Sequence, residues 1–257
     1  MKDLIILQTG EYYHIYNRGV DKRVVFIDDE DFWKFFDCLR DLNNETYYEE
    51  RLNALGISKD NPKELNSFDF KRLGSFIKEQ EKIVEIISYS LNPNHFHLIL
   101  KQLKDNGISN FMQRVGTSYT NYFNKKYDRS GALFQGRFKK IHIDNERYLQ
   151  WLIGYVNGNI EIHGLGKVSD YPWSSYQAVR KELNSFLQKE EGGLSNLSVL
   201  SGLDIVLSQF ASVGQFEEFI GQVTIESKIN KKMKKYFLEW RKKVEGVELL
   251  RLLSWIQ

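Results

Sequence analysis

One cysteine, three prolines and no long apolar run set the first limits on this chain of 257 residues. The lone Cys38 excludes an intramolecular disulfide and a thiolate zinc cluster. It falls in an apolar helical pattern and reads as a buried structural thiol. No stretch approaches the roughly 18 apolar residues of a membrane span, and Met1-Lys2-Asp3-Leu4 lacks the apolar region of a secretory signal, so no membrane partner is expected and the expected compartment is the cytoplasm. There is no Gly-rich loop ending in Lys-Ser/Thr, which removes the usual signature of nucleotide hydrolysis. Internal repeats and low-complexity tracts are absent as well. A marked excess of charge of one sign is also lacking. The formal net charge is +2, so a polyanion site has to come from local clustering of cations. Apolar residues, by contrast, make up 42% and aromatics 14%, enough for a packed core.

The stretch that organises the chain is Asn92-Pro93-Asn94-His95-Phe96-His97-Leu98-Ile99-Leu100. Side chains alternate faces along a strand, so His95, His97 and Ile99 point one way and Phe96, Leu98 and Leu100 the other. Two imidazoles then sit side by side over an apolar underside, half of a divalent-metal site carried by a rigid element. Before them, Ile83 to Ser90 is rich in β-branched and aromatic residues, and Asn92-Pro93-Asn94 is turn chemistry. The histidines therefore open the second arm of a hairpin near the sheet centre.

The rest of the pattern is α+β. Glu11 to Arg18 reads as a strand in which His14 and Tyr16 share a face, with His14 either a third ligand or simple strand packing. Asp28 to Leu42 reads as a helix capped by Asp28 or Asp29, its apolar stripe being Phe32, Phe35, Phe36 and Leu39. Residues 43–81 carry charges of both signs and a weak pattern, as an insertion would. Ile108 to Lys126 is a second helix. Behind it, Lys125 to Lys140 mixes six cations and one anion with aromatics and two glycines, which reads either as a single-strand binding surface on which Phe134 or Phe138 could stack bases or as a solvated basic loop. Lys139 to Ile143 is a strand with His142 at its surface. Asp144 is the expected cap of a third helix, Asn145 to about Asn159, whose buried stripe is Leu149, Leu152, Ile153, Val156 and Ile160. Tyr155 and Asn159 lie four apart and project together at the margin of that stripe. A boundary is expected at Lys189 to Gly193. Short helices are expected over Leu194 to Val223, and Lys228 to Lys243 then sets eight Lys or Arg against one Glu among aromatics, a basic amphipathic helix that is an accessory nucleic-acid arm or a solvated face.

Taken in order, YHIYNRG, DDEDFWKFF, NPNHFHLIL, FMQRVGTSYTNYFNKKY, GALFQGRFK, the tyrosine helix and DYPWSSY resemble the REP-associated tyrosine transposases of the IS200-like, HUH single-tyrosine superfamily. The resemblance covers roughly Tyr12 to Tyr176. It implies a ferredoxin-like antiparallel sheet with helices on one face, the HUH endonuclease fold, over residues 1–183 with an insertion at about 43–81. A helical basic C-terminal extension over 194–257 would follow. His95 and His97 take the places of the family's paired histidines. The family's tyrosine motif, Tyr-x-x-x-Asn-Pro with a small residue and Gly beyond, matches Tyr155-Val156-Asn157-Gly158-Asn159-Ile160 with Gly164 in place. This makes Tyr155 the implied nucleophile and Asn159 the implied third metal ligand. Ile160 stands where the proline is expected, so Asn157 remains a rival ligand; Tyr119, Tyr122 and Tyr127 remain rival nucleophiles.

The resemblance further implies Mg²⁺ or Mn²⁺ as cofactor, and imidazole ligation suits manganese better. The implied partner is single-stranded or hairpin DNA, held by Arg18, Arg114, Lys125, Lys126, Arg129, Arg137, Lys139 and Lys140, in a nucleoid-associated protein that works as a monomer or a homodimer. The implied reaction is cleavage and rejoining of one strand through a 5′-phosphotyrosine. Two other readings stay open at the level of sequence: a relative that holds hairpin DNA without cutting it, and a metal-dependent hydrolase that uses activated water.

Overall fold

The computed structural model describes residues 6–45, 82–188 and 199–244. The expected insertion from residue 46 onward and the boundary at Lys189 to Gly193 lie outside the described residues. Four strands form one antiparallel sheet: β1 (Tyr12–Arg18), β2 (Val84–Asn92), β3 (His95–Gln102) and β4 (Lys139–Ile143), in the order β2-β3-β1-β4. With α1 (Asp29–Asp41) between β1 and β2, and α2 (Gly107–Lys126) between β3 and β4, this is the ferredoxin-like connection that the sequence implied. The histidine strand is central, flanked by β2 and β1.

Helix α1 starts where the sequence placed it, for a local reason. Asp28 accepts from the Asp31 backbone N–H while Asp31 reaches back to the Asp28 N–H, a reciprocal capping box. Its stripe of Phe32, Phe35, Phe36 and Leu39 is buried against the face carrying Phe96, with Phe35 and Phe96 rings 5.2 Å apart. Tyr119 of α2 packs on the same layer, 5.0 Å from Phe35, and its hydroxyl donates to the Val25 carbonyl. The opposite face is covered by α3 (Glu146–Asn157), which continues after Gly158 into a short helix α4 (Asn159–Ile162). Helices therefore lie on both faces of the sheet, where one face was expected. The apolar stripe of α3 needed a surface of its own, and Phe96, Leu98 and Leu100 were already occupied by α1 and α2.

The cap of α3 is Asn145, whose side chain accepts from the Tyr148 N–H, and not Asp144 as expected. Asp144 is left outside, where its carboxylate accepts from the Asn145 amide. Beyond the sheet come α5 (Tyr176–Gln188), α6 (Leu203–Leu207) and α7 (Val213–Val244). Of the short helices expected over Leu194 to Val223, α6 is one; from Val213 on, α7 runs unbroken for 32 residues and takes in the basic helix expected over Lys228 to Lys243. It packs along α3 and α4. An added Cβ on Gly154 would stand 2.9 Å from Val223 Cγ2 and 3.0 Å from Phe219 Cε1, so the absence of a side chain there is what lets the two helices touch.

Candidate functional site

A bulge decides what faces the histidines. Along β2 the register to β3 shifts between Ile86 and Ser88. Before the shift Ile86 lies opposite Leu100, on the apolar side; after it Ser88, Ser90 and Asn92 lie opposite Ile99, His97 and His95. One extra residue thus moves a run of three polar side chains onto the histidine face. The turn after Asn92 is pinned from the other side: Gly19 N–H donates to Asn94 O, and Val25 and Phe26 N–H groups donate to Pro93 O. A Cβ on Gly19 would come within 2.4 Å of the Arg23 carbonyl, which is why YNR is followed by glycine.

Four of the five histidines meet here. The rings of His95 and His97 are 5.2 Å apart, those of His14 and His97 5.0 Å, and those of His95 and His163 4.8 Å. Their proton placement follows from their partners. Asn94 Nδ2 donates to the Lys22 carbonyl at 3.1 Å, which turns Asn94 Oδ1 toward His95 Nδ1 at 2.6 Å. His95 Nδ1 must therefore carry the proton, leaving the lone pair on Nε2. That Nε2 faces Asn159 Oδ1 at 3.1 Å, and Asn92 Nδ2 donates to the same oxygen at 2.8 Å. On His97 the Nδ1 atom is engaged by His14 Nε2 at 2.8 Å, so Nε2 is again the atom left for a ligand. His14 is thus a neighbour that orients His97, and not a third ligand.

Burial keeps these rings neutral. It lowers the His95 and His14 pKa values to about 4, the nearby Arg18 and Lys231 adding to the effect at His95, and it holds His97 well below the usual histidine range. Neutral imidazole is the form that binds a cation. Nε2 of His95 and Oδ1 of Asn159 lie 3.1 Å apart, with the Asn92 amide nitrogen 3.3 Å from the first and 2.8 Å from the second, and neighbouring ligands of one small divalent cation also sit about 3 Å apart. The donor set therefore fits Mg²⁺ or Mn²⁺. Among the described residues no group of three or more His, Cys, Asp and Glu is placed to hold a metal, so the amide is needed to complete the set. Asn157, the rival ligand, is fully buried elsewhere: its amide donates to Ser88 Oγ at 3.1 Å and accepts from Ser175 Oγ at 2.7 Å.

Tyr155 stands at the edge of this group. Its ring lies 5.7 Å from His97 and edge-on to it, and is stacked at 5.4 Å on Trp151 one turn back. Burial raises its pKa above the ordinary phenol value, with the adjacent Asn159 side chain pulling the other way. A cavity of about 260 Å³ opens over these side chains, lined by Tyr16, Arg18, His95, His97, Lys139, Tyr155 and His163, among others. The rival tyrosines are all engaged elsewhere: Tyr119 with the Val25 carbonyl, Tyr122 and Tyr127 with Asp31.

The cations expected on DNA divide into two sets. Arg18 and Lys139 line the cavity, and Arg18 Nε is buried without a hydrogen-bond partner. Lys140 lies beside Lys139 on β4, paired in register with Ile15, and Arg137 is exposed just before the strand. Lys126 is committed elsewhere: its ammonium contacts Asp28, Glu30 and Asp31 at 2.8, 3.1 and 3.0 Å, tying the end of α2 to the start of α1. Arg114 is paired with Glu45 at 3.6 Å, and Arg129 with Asn124 at 2.8 Å. Lys125 lies in the last turn of α2. Phe134 packs into the core, edge-on to Phe96, and cannot stack on a base; Phe138 is half-buried. Sequence reasoning missed Tyr16 and His163 as cavity residues. The four-residue spacing from Asn159 to His163, repeating that from Tyr155 to Asn159, was the signal available for His163.

Residues 59–159 match the model of the family described as IS200-like transposases, which bears out the resemblance carried by the motifs. No curated protein matches the chain with significance. A solved chain described as a REP-associated tyrosine transposase bound to a REP hairpin is similar at 13% identity and a TM-score of 0.43, over 79% of this chain and 96% of that one.

Proposed function

We propose that this chain, whose residues 59–159 carry the sequence pattern of the IS200-like transposases, is a metal-dependent single-strand DNA endonuclease and strand transferase that works through a 5′-phosphotyrosine. The observation that carries this reading is the meeting of the Tyr155 ring with His97 at 5.7 Å in a cavity that also holds Arg18 and Lys139. The substrate is a single strand, free or beside a hairpin, because a phosphate has to enter a pocket with one backbone only.

His95, His97 and Asn159 would hold the divalent cation through Nε2, Nε2 and Oδ1. When bound, the cation supplies charge stabilisation at a non-bridging oxygen of the scissile phosphate. Arg18 and Lys139 bring the phosphate in by charge. Trp151 and His97 pack against the Tyr155 ring, the first stacked on it and the second edge-on. Tyr155 loses its proton and its oxygen attacks phosphorus; the Tyr–O–P bond forms, the P–O3′ bond breaks, and the released 3′ oxygen takes up a proton. The phosphodiester energy is kept in the protein–DNA bond. Attack by another 3′-hydroxyl then reseals the strand, restores the phenol and needs no ATP.

The test is incubation with end-labelled single-stranded DNA and Mn²⁺. A covalent protein–DNA adduct is expected from the native chain and none from Tyr155→Phe. His97→Ala should lower its rate by at least about 100-fold, and EDTA should abolish it while leaving DNA bound. Binding with no adduct under any divalent cation would establish a non-cutting DNA-binding protein instead. Cleavage that persists in Tyr155→Phe would establish a hydrolase that uses water.

A further inference from the structure

The reaction above leaves His163 and the long helix α7 without a role, and the two are joined. Contacts between α7 and the tyrosine helices run in step along the helices. Phe219 and Val223 meet Gly154, and Thr224 Oγ1 would stand 2.2 Å from a Cβ on Gly158. Lys228 Nζ then bonds Glu161 Oε1 at 2.9 Å, and Lys231 Nζ reaches His163 Nδ1 at 3.2 Å and the Ile162 carbonyl at 3.4 Å. The helices run parallel, and the side-chain-free surfaces of Gly154 and Gly158 fix their register. The reach of Lys231 to His163 is the end of that series.

An ammonium has donors and no lone pair, so His163 Nδ1 must be the acceptor and the ring proton must sit on Nε2. His163 lines the same cavity as Tyr155, Arg18 and Lys139, and its ring stands 4.8 Å from that of His95. It therefore offers an N–H donor, with its tautomer set from outside the sheet, in a cavity that Arg18 and Lys139 also line.

We propose that His163 is a substrate-contacting residue of this site, donating from Nε2 to an oxygen of the bound phosphate, and that Lys231 of the C-terminal helix is its positioning residue. This rests on the phosphodiester reading of the cavity, and its test is chosen to fail separately from that reading.

The full-length chain and His163→Ala, His163→Gln, Lys231→Met and the His163→Ala/Lys231→Met double variant are compared in three measurements. The first is equilibrium binding of a fluorescent, mixed-sequence single-stranded oligonucleotide in EDTA, which needs no cleavage. The second is Mn²⁺ affinity without DNA, read by electron paramagnetic resonance. The third is the rate of adduct formation at saturating DNA. Removal of one such donor should weaken oligonucleotide binding about 3- to 10-fold and slow adduct formation about 10- to 100-fold, with Mn²⁺ affinity within about 2-fold of the native value. His163→Gln, which keeps a donor, should recover part of both losses. Lys231→Met should cost less than His163→Ala and nothing further in the double variant.

Native behaviour of His163→Ala in both DNA measurements overturns the proposal. Loss of Mn²⁺ affinity in that variant overturns it too, by making His163 a metal ligand. A cost of Lys231→Met that persists undiminished in the His163→Ala background overturns the positioning role. If the native chain binds DNA without cutting it, the nuclease reading fails while the affinity measurement still decides the contact. If it does not bind, both fail.

Discussion

At the scale of single residues, the site works by assigning protons. Asn94, held by the Lys22 carbonyl, puts the His95 proton on Nδ1; His14 occupies Nδ1 of His97; Asn92 turns the Asn159 oxygen toward His95. On each histidine, Nε2 is the atom left over because Nδ1 is already engaged; Asn159 Oδ1 faces His95 while its own Nδ2 is buried without a partner. For Tyr155 the matter is the reverse, since burial holds its proton more tightly than an ordinary phenol does. The phenolate fraction below that pKa rises tenfold per pH unit, so the single-turnover rate of adduct formation should climb about tenfold per unit between pH 6 and 8. A flat profile measured at saturating metal and DNA would mean that proton loss from Tyr155 does not limit the step. Asn157 serves structure. With Ser88 and Ser175 it forms a closed buried network, and Asn157→Ala should cost roughly 2 kcal/mol in urea unfolding through the partners it strands. How much of this was legible varies with distance in the chain. His-x-His on a strand fixes a shared face, and Tyr155 with Asn159 follows from helical spacing. The His14–His97 contact depends on pairing between strands 83 residues apart, which no local pattern encodes.

At the scale of elements, most boundaries were readable because local chemistry sets them: the capping box of α1, the turn at Asn92-Pro93-Asn94, and the apolar stripes of α1 to α3. What could not be read was commitment between elements. Lys126 sits in a run of cations that looks made for phosphate, yet it bonds the acids that open α1, about a hundred residues earlier. Asp31, fully buried, gathers Lys126, the Tyr122 and Tyr127 hydroxyls and the Ile27 N–H. Asp31→Ala removes half of the capping box, takes one of three carboxylates from the half-buried Lys126 ammonium and deprives the Tyr122 and Tyr127 hydroxyls of an acceptor, and should destabilise the protein by roughly 3 kcal/mol in chemical denaturation. By contrast, Lys140→Ala on β4 should leave stability within about 0.5 kcal/mol and weaken single-strand binding, with a shallower salt dependence. The contact of α3 with α7 is equally invisible in the sequence, since Gly154 and Gly158 look like helix weaknesses until the partner helix is seen. Gly154→Val should push Val223 and Phe219 away, lowering stability by about 1–3 kcal/mol.

At the scale of the whole molecule, the sheet order and the helix pairing were implied by the sequence, and the second covered face was not. That second face has a thermodynamic consequence. His14 and His95 are buried neutral, with pKa values near 4 against about 6.5 for histidine in an unfolded chain. The unfolded state therefore takes up protons first as pH falls, and the stability these groups confer is fully present above pH 6.5 and is lost progressively down to about 4. In EDTA, Tm should be flat from pH 8 to 7 and fall steeply between pH 6 and 4.5; an unchanged Tm across that window would place these rings in contact with water. Among the described residues no helix is long and apolar enough to cross a membrane.

The 5.7 Å between Tyr155 and His97 lies within one polypeptide. If that arrangement carries the reaction, each copy is self-sufficient. Mixing a Tyr155→Phe preparation with a His97→Ala preparation should then restore no activity, since neither crippled molecule can lend its intact half to the other. The specific rate should likewise survive dilution.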